Sequence, residues 1–321
     1  MNGRKFILSK QQNWARRKGF ELVPGTIGSN GEKNYVNELN QNLFVPLSAE
    51  SMTRYGNADG NETTDGEKRL AKMKALHSSS ALVVNMFQYW QGKDLYPLLA
   101  ACKLPTTKTI TKVHENVGSK TDSRMVEVSK PLEYTDMRFE EKFEISPDKS
   151  LFPRTPNIDV LVHGDFDFAF ESKFTEPYGG KHDGLKAKYV EDESLWDGLP
   201  NLYKLAKEIS PYNNKFRYLD AAQLIKHILG LKQTSKRELR LGERKLEVAV
   251  KRNFYLVYLW YDVLGRDGFW HQEEINQFAA IAEKDNIHFK AVTYQEVIAN
   301  LSEYAYMGNE AYCDYLTERY L

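Results

Sequence analysis

Between residues 69 and 90, Leu70, Met73, Leu76, Leu82, Val83 and Phe87 recur at helical spacing, predicting one helix with a single buried side. The Ser78, Ser79, Ser80 run lowers helix propensity at its middle. Over residues 137–146 the period shortens to two. Phe139, Phe143 and Ile145 alternate with Glu140, Lys142 and Glu144, predicting a half-buried strand interrupted at Glu141. Pro147, Pro153 and Pro156 mark a loop, after which residues 157–163 and 166–174 read as the two arms of a hairpin. Leu224, Ile225, Ile228 and Leu229 predict a helix over 219–231, and the Phe, Tyr, Val and Trp of 253–263 a buried strand. A helix over 272–283, a strand near 288–292 and a C-terminal helical region complete the pattern.

These segments divide the chain into an N-terminal extension and connector (1–68), a core (69–295) and a C-terminal helical segment (296–321). Gly, Pro and acidic residues around short helices mark an insertion at about 177–216. With 41% hydrophobic and 27% charged residues, the 321-residue chain has a globular rather than a disordered or fibrous composition. Forty-four basic residues balance 44 acidic ones, so attraction to nucleic acid must come from local patches. Cys102 and Cys313 stand far apart, which suggests neither a thiolate zinc site nor a disulfide framework and fits a reducing cytoplasm. The apolar runs are too short to span a bilayer, so no membrane partner is expected.

The hairpin carries the chemistry. Side chains alternate along a strand, so Glu171 and Lys173 share one face while Phe170, Ser172 and Phe174 take the other. A register whose partner numbers sum to 330 sets Asp159 opposite Glu171. That register also groups Ile158, Val160, Val162, Phe168, Phe170 and Phe174, so burial and chemistry ask for one arrangement. Two adjacent carboxylates repel, and a divalent cation relieves the repulsion. Mg²⁺, with Mn²⁺ as the alternative, would be held by Asp159 and Glu171 while keeping positions for water and a phosphate oxygen. Lys173 would then position or help deprotonate that water.

The run Asp159 … Glu171-Ser172-Lys173, within Phe139-Glu140 … Pro156-Asn157-Ile158-Asp159-Val160 … Lys173-Phe174-Thr175-Glu176, resembles the PD-(D/E)XK nuclease superfamily in its bacterial restriction-endonuclease-like branch. The resemblance implies an α/β fold with an αβββαβ core, a mixed central sheet flanked by helices, and metal-dependent hydrolysis of DNA phosphodiester bonds in restriction or defence. It also implies that the Ser172 carbonyl joins Asp159 and Glu171 at the metal, and that Glu140 and Gln223 are further catalytic positions. The tyrosine often found four residues after that glutamine is His227 here. Glu-x-Lys recurs at Glu140-Glu141-Lys142 and Glu243-Arg244-Lys245, and a literal Pro-Asp at Pro147-Asp148. Asp159 is preferred because an apolar strand can hold it rigidly.

Residues 232–252 hold eight Lys/Arg against three Glu, and Lys232, Lys236, Arg237, Arg240, Arg244 and Lys245 are the expected contacts to a phosphate backbone. His163 can share the face of Asp159 and is a further test position. DNA is the expected partner, with a homodimer left open. A noncatalytic nucleic-acid-binding or assembly protein retaining the fold, and an RNA or repair nuclease, stand as alternatives.

Overall fold

The computed structural model describes the chain except residues 1, 57–61, 115–123, 147–149, 154, 234, 242–243 and 251–252; within 109–128 and 234–252 it describes backbone only. In chain order the elements are α1 (Gly3–Arg17), β1 (Leu22–Pro24), β2 (Lys33–Val36), α2 (Ala49–Gly56), α3 (Ser79–Phe87) and α4 (Tyr96–Ala101). There follow β3 (Thr107–His114), β4 (Arg124–Pro131), β5 (Tyr134–Lys142), β6 (Asn157–Gly164) and β7 (Asp167–Lys173). Next come α5 (Ala187–Glu191), α6 (Pro200–Glu208), α7 (Ala221–Lys232), β8 (Ser235–Leu241), β9 (Arg244–Val250) and β10 (Phe254–Trp260). The chain continues through α8 (Arg266–Lys284), β11 (His288–Thr293), α9 (Tyr294–Tyr304) and α10 (Glu310–Tyr320).

The central sheet has five strands in the order β11-β10-β7-β6-β5. β5, β6 and β7 form an antiparallel meander, while β10 lies parallel to β7 and β11 parallel to β10. Taken as α3, then β5-β6-β7, then α7 and β10, this is the expected αβββαβ core with a mixed sheet flanked by helices. Val160 pairs with Phe170 and Val162 with Phe168, which is the predicted register of sum 330.

β7 is the middle strand, and every residue from Asp167 to Ser172 is buried. Both faces of the sheet are covered, as expected where parallel neighbours carry crossover helices. On one face Val160, Val162, Phe168, Phe170, Val257 and Leu259 meet α3, α4, α9 and α10, with Phe87 and Phe170 rings 4.9 Å apart. On the other, Leu161, Ala169, Leu256, Tyr258 and Trp260 meet α6, α7 and α8.

Three local expectations are corrected. The helix predicted over 69–90 exists only from Ser79, because the Ser78 side chain accepts from Ala81 N and caps a new start; a 3₁₀ turn, Lys72–Lys74, precedes it. Ile158, expected beside Val160, packs instead with Leu161 and Ala169. Phe143 and Ile145 join that same layer while Phe139 joins the opposite one. The switch follows from Glu140, whose φ of 52° is left-handed and breaks the strand's alternation one residue before Glu141.

Beyond the core, the hairpins β3-β4 and β8-β9 were not foreseen. The 177–216 segment folds as α5, α6 and short 3₁₀ turns whose Tyr189, Trp196, Leu202 and Leu205 enter the second layer. No helix among the described residues is long and apolar enough to cross a membrane.

Candidate functional site

Asp159 sits on β6 and Glu171 and Lys173 on β7, just beyond the last paired positions of the two strands, Val160 and Phe170. Asp159 Oδ2 accepts from Ser172 N at 2.6 Å, which ties the carboxylate to the neighbouring strand. Lys173 Nζ donates to Glu171 Oε1 at 2.6 Å and to Gln223 Oε1 at 2.8 Å. Gln223 reaches the site because α7 crosses this face of the sheet, its start fixed by Asp220 Oδ1 accepting from Gln223 N. Ser172, pointing the other way, shares a 2.7 Å hydrogen bond with the Tyr294 hydroxyl.

One turn along α7 from Gln223, His227 Nε2 lies 2.9 Å from Glu171 Oε2 without the alignment of a hydrogen bond. Glu171 Oε2 and both His227 ring nitrogens are therefore buried without a hydrogen-bond partner. Glu171 and His227 are each 1% exposed. Asp159, Glu140, Asn157 and Gln223 are partly exposed and form the open side of the site. Glu140, turned by its left-handed backbone, accepts from Asn157 Nδ2 at 3.0 Å.

The charges are interdependent. Burial would raise the Glu171 carboxyl, but the Lys173 and His227 side chains outweigh it and bring the pKa to about 2. Asp159 is driven well above the ordinary range by burial and by the charge of Glu171, against the opposing Lys173 ammonium. Burial pushes Glu140 up to about 7, with the charges of Glu62 and Glu171 adding to the shift. Lys173 loses solvation, yet Glu171, Asp159 and Glu176 more than offset this and hold it above its usual value. Its surroundings thus favour the ammonium.

Of the residues singled out from sequence, Asp159, Glu171, Ser172, Lys173, Gln223 and Glu140 are brought to this region. Lys232 is not: its Nζ is bonded to the Asp197 carbonyl beyond α5. The side chains of Lys236, Arg237, Arg240, Arg244 and Lys245 lie outside the described residues, as do the Pro147-Asp148 pair and Glu243. His163 Nδ1 is bonded to Asp167 Oδ1, at the far end of the hairpin. Sequence reasoning placed His227 only on a polar flank of its helix; its spacing of four from Gln223 was the available signal.

Among the described residues no group of three or more His, Cys, Asp and Glu side chains is gathered as a metal cluster. No curated protein and no solved structure matches the chain. Residues 8–321 match the model of the family described as restriction endonuclease associating with ARP, and with this sheet, this topology and this extent of match the chain belongs to that family.

Proposed function

We propose that the chain is a metal-dependent DNA endonuclease of the PD-(D/E)XK type, hydrolysing phosphodiester bonds in restriction or a related defence. The observation that carries this reading is the convergence of Asp159, Glu171 and Lys173 at one end of β6 and β7, with Gln223 2.8 Å from the lysine. The family description supports the coarser reading of a restriction-endonuclease-like nuclease.

The residues present fit a hard divalent cation. Glu171 Oε2 is a buried carboxylate oxygen whose neighbour is His227 Nε2, at 2.9 Å without hydrogen-bond alignment, and Asp159 adds a second carboxylate on the neighbouring strand. Mg²⁺ commonly uses one or two carboxylates and fills its remaining positions with water and phosphate, so a pair suffices where a three-residue cluster is absent. Asp159 and Glu171 would hold it, with the Ser172 carbonyl as a third oxygen. When bound, the cation supplies charge stabilisation at the phosphate and acidifies a water.

The protein groups do the positioning. Lys173, kept as an ammonium between Glu171 and Gln223, has one N–H left for the attacking water or a phosphate oxygen. Gln223 fixes the direction of that ammonium without adding charge. Because Glu171 is enclosed, a phosphodiester approaches from the partly exposed side of Asp159, Glu140 and Asn157.

Conversion of supercoiled plasmid tests the reading. The wild type should nick or cut with Mg²⁺ or Mn²⁺ and fall silent with chelator, and Asp159→Ala and Lys173→Ala should each lose about 100-fold or more. Cleavage persisting unchanged in both variants would overturn it. Duplex binding without cleavage under any metal would favour the noncatalytic alternative.

A further inference from the structure

An open cleft of about 680 Å³ borders the site, and it shares Asn157, Gln223 and His227 with it as walls. We infer that this cleft receives the phosphodiester backbone of a DNA strand, led to the candidate site by Lys186 and Lys188 at α5 and Lys226 on α7. The inference rests on the nuclease reading and adds the path of the substrate.

Three observations support it. First, the cleft and the site are continuous. Asn157, whose amide donates to Glu140 at 3.0 Å, and Gln223, which accepts from Lys173, face both. A strand lying in the cleft therefore has a phosphate within reach of the carboxylates.

Second, the charge is one-sided. The described lining holds three lysines against a single carboxylate, Asp183. Lys188 Nζ donates to the Leu151 carbonyl at 2.6 Å and lies 4.8 Å over the Phe152 ring, partners that orient the ammonium and leave its charge uncancelled. Burial and the neighbouring charge of Lys186 both lower the Lys188 pKa. Like charges set side by side cost stability unless an anion comes between them.

Third, the lysine rim is held in place. Leu185 N donates to the Ile209 carbonyl at 3.1 Å. A Cβ on Gly184 would meet the Pro211 carbonyl oxygen at 2.2 Å and that of Ile209 at 2.5 Å, so the chain entering α5 lies flush against the segment leaving α6. The insertion thus builds a fixed wall on the substrate side, and less ordering is needed when a strand binds.

The test is fluorescence anisotropy of a labelled DNA duplex with the full chain in EDTA, over a series of salt concentrations. Plasmid cleavage is run in parallel. In the Lys186→Ala/Lys226→Ala variant, the slope of log Kd against log salt should fall by about 1.8, roughly 0.9 for each phosphate no longer neutralised. Lys186→Arg/Lys226→Arg should restore it, which separates a missing charge from a damaged fold. A wild-type slope and affinity in the alanine variant would overturn the cleft as the DNA path; if wild type still cleaves, the nuclease reading stands. A wild type that neither binds nor cleaves would overturn both.

Discussion

Lys173 is the residue on which the chemistry turns, because it is the ammonium that Glu171 and Gln223 hold between them, 2.6 and 2.8 Å away. Replacing Gln223 by Leu removes one acceptor and leaves the ion pair, so the ammonium keeps its charge and loses its direction. Plasmid cleavage by Gln223→Leu should slow by about tenfold, the equivalent of one hydrogen bond of about 1.4 kcal/mol. Unchanged cleavage would show that the amide plays no part in orienting Lys173. The register of β6 against β7, Val160 with Phe170 and Val162 with Phe168, was legible in sequence because strand parity is a local rule and the hairpin is closed by only Asp165 and Phe166. His227 was not legible as a neighbour of Glu171, since their approach joins two separate elements and depends on how α7 crosses the sheet.

At the scale of elements, α8 and the sheet enclose a second buried histidine. His271 on α8 is fully buried between the Tyr258 hydroxyl, at 2.9 Å, and the Tyr178 hydroxyl, at 3.3 Å. Burial depresses its pKa from 6.5 to about 3, and the charges of His182 and Lys173 act in the same sense. A folded value below the unfolded one means that stability is complete above about 6.5 and is lost as pH falls towards 3. The loss should reach roughly 2 kcal/mol by about pH 5, near 1.4 kcal/mol for each unit below the unfolded pKa. Glu140, raised to about 7, acts in the opposite sense over part of the same range. The quantity to measure is therefore the difference in urea-unfolding free energy between wild type and His271→Asn as a function of pH. A difference that does not change between pH 7.5 and 5 would contradict the assignment. Element types were largely readable from periodicity, and their faces less so. The half-buried strand expected at 137–146 changes face at Glu140, a backbone reversal that no hydrophobic pattern announces.

Across the whole molecule, the two ends of the chain are joined through Arg319, which is 1% exposed. Its guanidinium donates to Gln11 Oε1 at 3.0 Å, to the Asn42 carbonyl at 2.8 Å and to the Tyr315 hydroxyl at 2.6 Å, and it lies 4.1 Å over the Trp14 ring. These partners are uncharged, so the cation is solvated by dipoles and an aromatic face. Arg319→Ala should cost about 3 kcal/mol in chemical denaturation, since it removes charge-assisted bonds and packing together. A change under 1 kcal/mol would show that α1 and α10 are held by other interactions. This closure was invisible in sequence, where residues 1–68 and 296–321 read as appendages; α1 packs directly on α10. The αβββαβ order came from the resemblance carried by Asp159 and Glu171-Ser172-Lys173, while period and length gave the individual strands and helices.

The proposed chemistry requires Asp159 and Glu171 to form one oxygen-lined cation site next to Lys173. Titration of the full chain with Mn²⁺, followed by electron paramagnetic resonance, tests this without reliance on turnover. One Mn²⁺ should bind per chain, with affinity reduced at least tenfold in both Asp159→Asn and Glu171→Gln while their far-ultraviolet circular dichroism matches wild type. Mn²⁺ bound equally well by wild type and both variants, or by none of them, would contradict the shared site.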